Sequence, residues 1–238
     1  KASSGMCSNR AGGTELIDER ETSPAFAKAG YRTMEGVNRY LGGTRVVREF
    51  IADELDDFGE DRPLRVLDMG SGSCDIPMEV SQWARQRGRV VSFTCLEPNP
   101  HARDMAREKM VDQQDLPIRV LPDRVEEHMP DRPYDCAVGS MFFHHFTDEQ
   151  IVQMVSRLRG FVRRSVLIND LHRTPSAFIG FLLLSLVLAP DVCQDGLHSI
   201  RRSFRPAPLK AILERLPRVE VSVRRAYCLR VAAEVHFF

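Results

Sequence analysis

The residues best suited to bind a ligand are a glycine-containing segment and an acid that follows it. The segment Asp68-Met69-Gly70-Ser71-Gly72 ends a short apolar run that begins at Leu64. Glycines placed just after a strand let the backbone turn sharply and approach a ligand without a side-chain clash. Glu97 ends the next apolar run, where a carboxylate can accept the hydroxyls of a ribose. The two features together predict a site for an adenosine-containing ligand.

Asp75 discriminates between two classes of such ligands. The dinucleotide fingerprint needs a small residue at this position, so that the helix can pack near the pyrophosphate. A carboxylate would also repel a pyrophosphate at a helix N-terminus. S-adenosylmethionine has no phosphate and carries a sulfonium cation, so an acid suits it better. Asp75 therefore disfavours a dinucleotide-dependent oxidoreductase.

Histidines and an acid follow two later strands and could move a proton. His144 and His145 follow the fourth predicted strand. Asp170 and His172 follow the fifth, where they could orient the acceptor or form a second acid–base pair. Histidine is the usual base near neutral pH. Adjacent side chains are expected to point apart, so one of the two neighbouring histidines would act. Structural roles are the alternative: a histidine bonded to nearby backbone, and an aspartate that caps a helix.

Alternating strand and helix patterns surround these residues. Short apolar runs between helical periodicities predict an α/β fold with a doubly wound, mainly parallel seven-stranded sheet. The predicted strands cover residues 64–69, 90–96, 118–121, 134–139, 165–168, 219–226 and 229–238. The last two, joined by a short turn, predict a terminal antiparallel hairpin.

The N-terminal part has a different pattern. Residues 1–60 are expected to contain a disordered start and a helical lid, broken at Gly42-Gly43, with Thr44 as the N-cap of the second helix. Residues 61–238 would form the catalytic domain, with inserted helices at about 174–216. The apolar run at 177–189 is too short to span a bilayer and is expected to form a buried helix.

Composition excludes several classes of protein. The 238 residues carry 33 Lys and Arg against 33 Asp and Glu, which disfavours a nucleic-acid-binding protein. The six cysteines fit no zinc pattern and no disulfide framework, so no metal is predicted and a reducing compartment is expected. No secretory signal is visible, so a cytoplasmic location is expected. The oligomeric state cannot be read from the sequence.

Several motifs resemble those of class I S-adenosylmethionine-dependent methyltransferases, in particular the small-molecule members associated with polyketides and quinones. The resemblance rests on residues 68–72, Leu96-Glu97-Pro98-Asn99, Pro122-Asp123-Arg124-Val125, Tyr134-Asp135, residues 140–146, residues 195–204 and the terminal hairpin. Cys74 departs from the pattern, because the family often has a third glycine there. Cysteine is small, so we expect it to be tolerated.

The resemblance implies S-adenosyl-L-methionine as cofactor, S-adenosyl-L-homocysteine (SAH) as product and a set of site residues. The expected cofactor contacts are Tyr31, Arg39, Asp68, Gly70, Ser71, Gly72, Glu97, Pro98, Asp123, Arg124, Val125, Ser140 and Met141. The expected acceptor contacts are Phe142, Phe143, Phe178, Phe181, Leu182, His198 and Arg201, and the candidate catalytic residues are His145, His144, Asp170 and His172. His145 is favoured as base because family members carry a histidine at that position.

The N-terminal helix has two interpretations. By the resemblance, Tyr31, Asn38, Arg39 and Tyr40 would form a lid over the cofactor; an amphipathic helix packed on the core is the alternative. The expected activity is methylation of a small apolar or aromatic acceptor, with O-methylation favoured. C-methylation of a quinone-like ring, methylation of RNA and cofactor binding without catalysis are the alternatives, because the fold does not determine the acceptor.

Overall fold

A seven-stranded sheet organises the molecule, as a computed structural model shows for residues 23–59, 62–174, 197–227 and 229–238. The strands are β1 (Leu64–Met69), β2 (Val91–Leu96), β3 (Ile118–Leu121), β4 (Tyr134–Ser140), β5 (Val162–Leu171), β6 (Val219–Ala226) and β7 (Arg230–Phe237). Their order is β3-β2-β1-β4-β5-β7-β6. Strands β1 to β5 are parallel, whereas β7 runs antiparallel to both of its neighbours. The predicted fold class is confirmed.

Helices cover the sheet and precede it. They are α1 (Pro24–Tyr40), α2 (Gly43–Asp56), α3 (Asp75–Arg85), α4 (Pro100–Met110), α5 (Asp148–Leu158) and α6 (Pro206–Leu213). Short 3₁₀ turns occur at Val111–Gln113 and Phe143–His145, and residues 197–202 are helical. The helix expected within 177–189 lies outside the described residues. In the described part of the chain, no helix has both the length and the apolar character that a bilayer crossing requires.

The central strands are buried on both faces, which explains why they read as continuous apolar runs rather than as alternating ones. Leu67 and Ala137 point into a core shared with α5 and α6, whereas Val66 and Val138 point into a core shared with α2 and α3. Each face thus has its own apolar layer. The polar residues at the carboxyl ends of the strands stand at the edge of these layers.

Two local features differ from the sequence prediction. The N-cap of α2 is Gly42 rather than Thr44, because a left-handed residue is needed there and Gly42 has φ +81°. Strand β5 is longer than expected and runs to Leu171, since β7 pairs with it as far as Leu171 opposite Arg230. Asp170 therefore belongs to the strand rather than to a loop. The domain boundary near residue 60 stays a prediction.

Candidate functional site

The segment between β1 and α3 forms a tight loop under backbone constraint. Gly70 and Gly72 have φ values of +65° and +55°, and Cys74 adopts φ +59°. A Cβ added to Gly70 would lie 2.5 Å from the ring of Phe142, so this position has no room for a side chain. The left-handed conformation of Cys74 costs a non-glycine residue about 1–2 kcal/mol.

Glu97 fastens the end of β2 to this loop. Its side chain is almost fully buried, and its carboxylate accepts hydrogen bonds from the backbone N–H groups of Gly72 and Asn99, each at 2.8 Å. Glu97, the predicted ribose-binding acid, therefore lies against the glycine loop. The carboxylate also shapes the loop, a role that the sequence did not indicate.

Among the carboxyl groups at the loop, Asp68, Asp75 and Glu97 interact through their charges. Burial raises the pKa of Asp68 well above its usual value, and the charges of Asp75 and Glu97 raise it further. Burial also raises the pKa of Asp75, although a hydrogen bond from Asn38 and the charge of Lys109 oppose the increase. Asp68, whose pKa is raised by burial and by both neighbouring charges, is a buried acid that favours a cationic ligand. The loop is thus better suited to a cation than to a phosphate.

Helix α1 lies over the loop. The ring of Tyr31 would be 3.5 Å from a Cβ on Gly72, and the Asn38 amide donates to the Asp75 carboxylate at 3.1 Å. Glu35 accepts from the Ser73 hydroxyl at 2.7 Å. Tyr31 and Asn38 therefore contact the glycine loop, and the lid over the cofactor stays a prediction. Glu35, which the sequence analysis did not select, adds a contact to the same loop.

Arg39 and Tyr40 do not share that placement. Both are exposed, and the Arg39 guanidinium carbon lies 5.9 Å from the centre of the Tyr40 ring. On a helix, residues 38 and 39 differ by about 100° in direction, so when Asn38 faces the loop its neighbour turns away. The expected cofactor contact of Arg39 is thus placed on the outer surface.

The remaining predicted cofactor contacts, which follow β1, β2 and β3, include both exposed and buried residues. Pro98 and Arg124 are exposed, whereas Ser71 and Val125 are buried. Val125 packs in the core and is 3% exposed, so its side chain is not available to a ligand. Asp123 is partly exposed, and its carboxylate lies 2.9 Å from Nδ1 of His128.

The residues at and just after the end of β4 differ in their burial and their contacts. Ser140 accepts a hydrogen bond from the Asn169 amide at 2.8 Å, and Met141 has φ +52°. Phe142 covers Gly70 and is only partly buried. Phe143 is fully buried in the core instead, so its expected role as a wall of the acceptor pocket is wrong.

His144 and Asp170 form a buried pair. Nδ1 of His144 lies 2.8 Å from Oδ1 of Asp170, whose other oxygen accepts from the His144 backbone N–H at 3.1 Å. Burial raises the pKa of Asp170, but the interaction with His144, the hydrogen bond from the Leu171 backbone N–H and the charge of Arg230 together outweigh it, so the pKa lies below its usual value. The carboxylate thus orients the imidazole.

His145 does not point away from His144. The 3₁₀ turn at Phe143–His145 stacks the two rings, with centroids 4.2 Å apart and planes inclined by 34°. The expectation that adjacent side chains diverge is wrong here, because it holds for strands and not for a tight helical turn. Arg202 supports the turn by donating to the carbonyl oxygens of both histidines, at 3.1 and 2.6 Å.

His172 lies apart from that pair. It is buried beside Phe204, and burial together with the charges of Arg225 and Arg205 lowers its pKa. The suggested acid–base pair of Asp170 with His172 is wrong, because Asp170 is engaged with His144. Among the expected acceptor contacts, His198 is partly buried and Arg201 exposed. Phe178, Phe181 and Leu182 lie outside the described residues.

Arg230 is a buried charge that the sequence analysis missed. It is 0% exposed, and its guanidinium donates to Oδ1 of Asn38 at 3.0 Å. Burial lowers its pKa to about 10, whereas the charges of Asp170 and Asp75 oppose that shift. An arginine directly before the apolar residues Val231-Ala232-Ala233 was the signal that could have identified it. Arg230 thus supports the helix that carries the lid contacts.

Comparisons with known proteins agree with this geometry. Residues 66–165 match the family model described as a methyltransferase domain. No curated protein matches the sequence. The plantazolicin methyltransferase BpumL, solved in complex with SAH, is 13% identical and superposes with a TM-score of 0.69 over 93% of each chain.

Two further solved structures share the fold. Magnesium protoporphyrin IX methyltransferase (ChlM) from Synechocystis PCC 6803, with bound SAH, is 12% identical, with a TM-score of 0.56 over 94% of this chain and 91% of that one. The mitomycin 7-O-methyltransferase MmcR is 18% identical, with a TM-score of 0.65 over 95% of this chain and 61% of that one. Residues 66–165 thus match a methyltransferase domain, and the chain has the fold of these solved methyltransferases.

Proposed function

We propose that this protein is an S-adenosylmethionine-dependent methyltransferase that methylates a small, apolar or aromatic acceptor at oxygen. The observation that carries the proposal is the group of carboxyls at the glycine loop. The pKa of Asp68 is well above its usual value because it is buried beside Asp75 and Glu97. A ligand that brings an ammonium and a sulfonium would offset that unfavourable charge.

The residues of the loop fit such a cofactor. The left-handed conformations of Gly70 and Gly72 bring backbone close to the ligand without side chains. Asp68 would face the amino group of the methionine part, and Glu97 would accept from the ribose. Tyr31 and Asn38 would close the site from above. When bound, the cofactor supplies an electrophilic methyl group.

The chain's own contribution to the reaction would be alignment and proton removal. Holding the reacting atoms in line can lower a barrier by roughly 7–11 kcal/mol. A hydroxyl acceptor must also lose its proton, and a positioned base adds a factor of roughly 10²–10⁴. We assign that role to His144 rather than to His145, because Asp170 orients the His144 ring through Nδ1. The His144 ring is 1% exposed, so the partly exposed Phe142 and His145 must shift for an acceptor to reach it. His145, stacked on it, would shape the pocket.

The acceptor would lie beside Phe142, which borders the glycine loop and is partly buried. Solved proteins of the same fold include the mitomycin 7-O-methyltransferase MmcR, which supports oxygen as the methylated atom. The absence of a basic excess in the composition supports a small molecule over RNA.

Calorimetric titration tests the cofactor directly. Purified protein is titrated with S-adenosylmethionine, SAH and NAD; we expect binding of the first two and none of NAD. Replacing Glu97 by Ala should weaken SAH binding at least tenfold, since it removes both the ribose acceptor and the anchor of the Gly72 N–H. Binding of NAD in preference to SAH would overturn the proposal.

Turnover is tested with a panel of phenolic and quinone-like acceptors, by the transfer of a labelled methyl group. The position of the label in the product distinguishes O-methylation from C-methylation. In this assay His144→Ala should lower turnover far more than SAH affinity, and His145→Ala should have the smaller effect on kcat. The reverse ranking would return the role of base to His145.

A further inference from the structure

Asp123, His128 and Tyr134 form a continuous hydrogen-bonded chain. Nδ1 of His128 lies 2.9 Å from Oδ2 of Asp123, and Nε2 lies 2.9 Å from the hydroxyl oxygen of Tyr134. A carboxylate only accepts hydrogen bonds, so Nδ1 carries the proton in the neutral imidazole, and Nε2 accepts from the Tyr134 hydroxyl. The tyrosine thereby fixes the tautomer that donates to Asp123.

This hydrogen-bonded chain is buried at His128 and Tyr134 and partly exposed at Asp123. His128 and Tyr134 are each 3% exposed, whereas the side chain of Asp123 is 38% exposed. Phe161 meets the His128 ring edge-on, at 6.2 Å and 78°, and the guanidinium of Arg157 donates to the His128 carbonyl at 3.1 Å. Only the carboxylate of Asp123 is thus available to a ligand.

The position of Asp123 along the sheet edge indicates which part of a nucleoside it would meet. It follows Leu121, the last residue of β3, and the Glu97 N–H donates to the Leu121 carbonyl at 3.0 Å. Neighbouring strands are about 4.8 Å apart. The resemblance to class I methyltransferases implies an acid near the adenine amine at this position, so a nucleoside whose ribose lies at Glu97 would extend its base toward β3 and Asp123.

We propose that His128 and Tyr134 are positioning residues that hold the Asp123 carboxylate in place to select adenine by its exocyclic amine. This inference rests on the proposed function. The amine of adenine donates hydrogen bonds, which a carboxylate accepts. Hypoxanthine has a carbonyl oxygen at the same place, and two acceptors would then face each other. The site would accordingly prefer an adenosine to the matching inosine.

Calorimetry with two ligands measures this selection. The affinity for SAH is compared with that for S-inosylhomocysteine, which differs only at that position of the base. We expect wild-type protein to prefer SAH by at least tenfold. The ratio of the two affinities is taken within each variant, so a smaller folded fraction affects both ligands alike and leaves the ratio unchanged.

Three substitutions at position 128 separate its two nitrogens. The amide nitrogen of asparagine stands where Nδ1 does, and that of glutamine stands where Nε2 does. His128→Asn should therefore keep most of the preference for SAH, whereas His128→Gln and His128→Phe should lower it about fivefold or more. Tyr134→Phe should lower it by a smaller factor, because Nε2 loses its donor. His236→Phe, at a partly exposed histidine of β7, should keep the wild-type ratio.

The outcomes separate this inference from the proposed function. If the wild-type protein does not bind SAH, both are overturned. If it binds SAH with the same ratio in His128→Phe as in wild type, the positioning role of His128 is wrong and the cofactor assignment stands. A wild-type protein that binds both ligands equally would show that Asp123 does not discriminate adenine from hypoxanthine.

Discussion

Nδ1 of His144 and Oδ1 of Asp170 lie 2.8 Å apart, with the histidine 1% and the aspartate 0% exposed. His144 follows the end of β4 and Asp170 lies near the end of β5, 26 positions apart in the sequence. Because the carboxylate accepts from Nδ1, it fixes which nitrogen of the imidazole carries the proton. Under the proposed function, this orientation is the reason for assigning the base to His144 rather than to the stacked His145.

The first prediction concerns Asp170. Replacing it by Asn keeps the shape but removes the charge that orients His144 and stabilises its protonated form. We expect kcat to fall roughly 10²-fold or more, with the affinity for SAH changed less than threefold. Turnover and calorimetry on the same preparation check this. Equal losses in kcat and in SAH affinity would indicate a general structural defect instead.

Asp68 should destabilise the ligand-free protein at neutral pH. Its pKa is higher in the folded protein than in the unfolded chain. Its contribution to the free energy of unfolding is therefore present at low pH and is lost as the pH rises through the folded-state pKa. Asp68→Asn should therefore raise the Tm of the free protein at pH 7 and reduce the additional increase in Tm that S-adenosylmethionine gives. Thermal denaturation at pH 5 and pH 7, with and without cofactor, measures both effects.

A second readout for Asp68 is proton release. A cationic ligand would lower the pKa of this carboxyl, so binding should release a proton where the free group is still protonated. Titrations in buffers of different ionisation enthalpy detect that release, and Asp68→Asn should abolish it. A release that persists in the variant would place the titrating group elsewhere.

Asp135 should behave in the opposite way. Burial raises its pKa, but the two-pronged hydrogen bonds from Arg62, both 2.7 Å long, and the Arg65 backbone N–H outweigh that effect, so the pKa lies below its usual value. Its stabilising contribution is present above the unfolded pKa, about 3.9, and is lost as the pH falls through the lower folded value.

The corresponding test is Asp135→Asn, a second buried carboxyl changed in the same way as Asp68. We expect a loss of roughly 1–3 kcal/mol in the free energy of unfolding at pH 7 and a smaller difference from wild type in acid. Denaturant unfolding at pH 7 and pH 3 measures it. A variant as stable as wild type at pH 7 would show that the interaction with Arg62 only compensates for burial.

Alanine substitutions at Gly70 and Gly88 distinguish the cost of a strained backbone from the cost of a steric clash. Both have positive φ, +65° and +71°, but a Cβ would clash with Phe142 only at Gly70, since nothing lies within 4 Å at Gly88. Gly88→Ala should cost about 1 kcal/mol of stability and leave SAH binding unchanged. Gly70→Ala should cost more and weaken SAH binding at least tenfold.

Denaturant unfolding and calorimetry on the two glycine variants check this. Retention of SAH binding in Gly70→Ala would mean that Phe142 can move aside at little cost, so that the loop would not be the rigid half of the site.

The sequence determined the fold because strand and helix periodicities differ and the strands are nearly all apolar. It also placed the glycine loop and Glu97 at one edge of the sheet, since parallel strands end on the same side. Those inferences need only local patterns and a topology. The departure at Cys74 was visible as well, although the left-handed backbone that it must adopt was not.

Tertiary structure decided which side chains meet. The pairing of Asp170 with His144 rather than with His172 depends on the extension of β5 along β7 and on the 3₁₀ turn after β4. Neither feature has a local sequence signal. The burial of Phe143 and the contact of Arg230 with Asn38 likewise arise from elements far apart in the chain. Sequence spacing fixes where a residue stands along a strand, whereas packing alone decides which partner its side chain reaches.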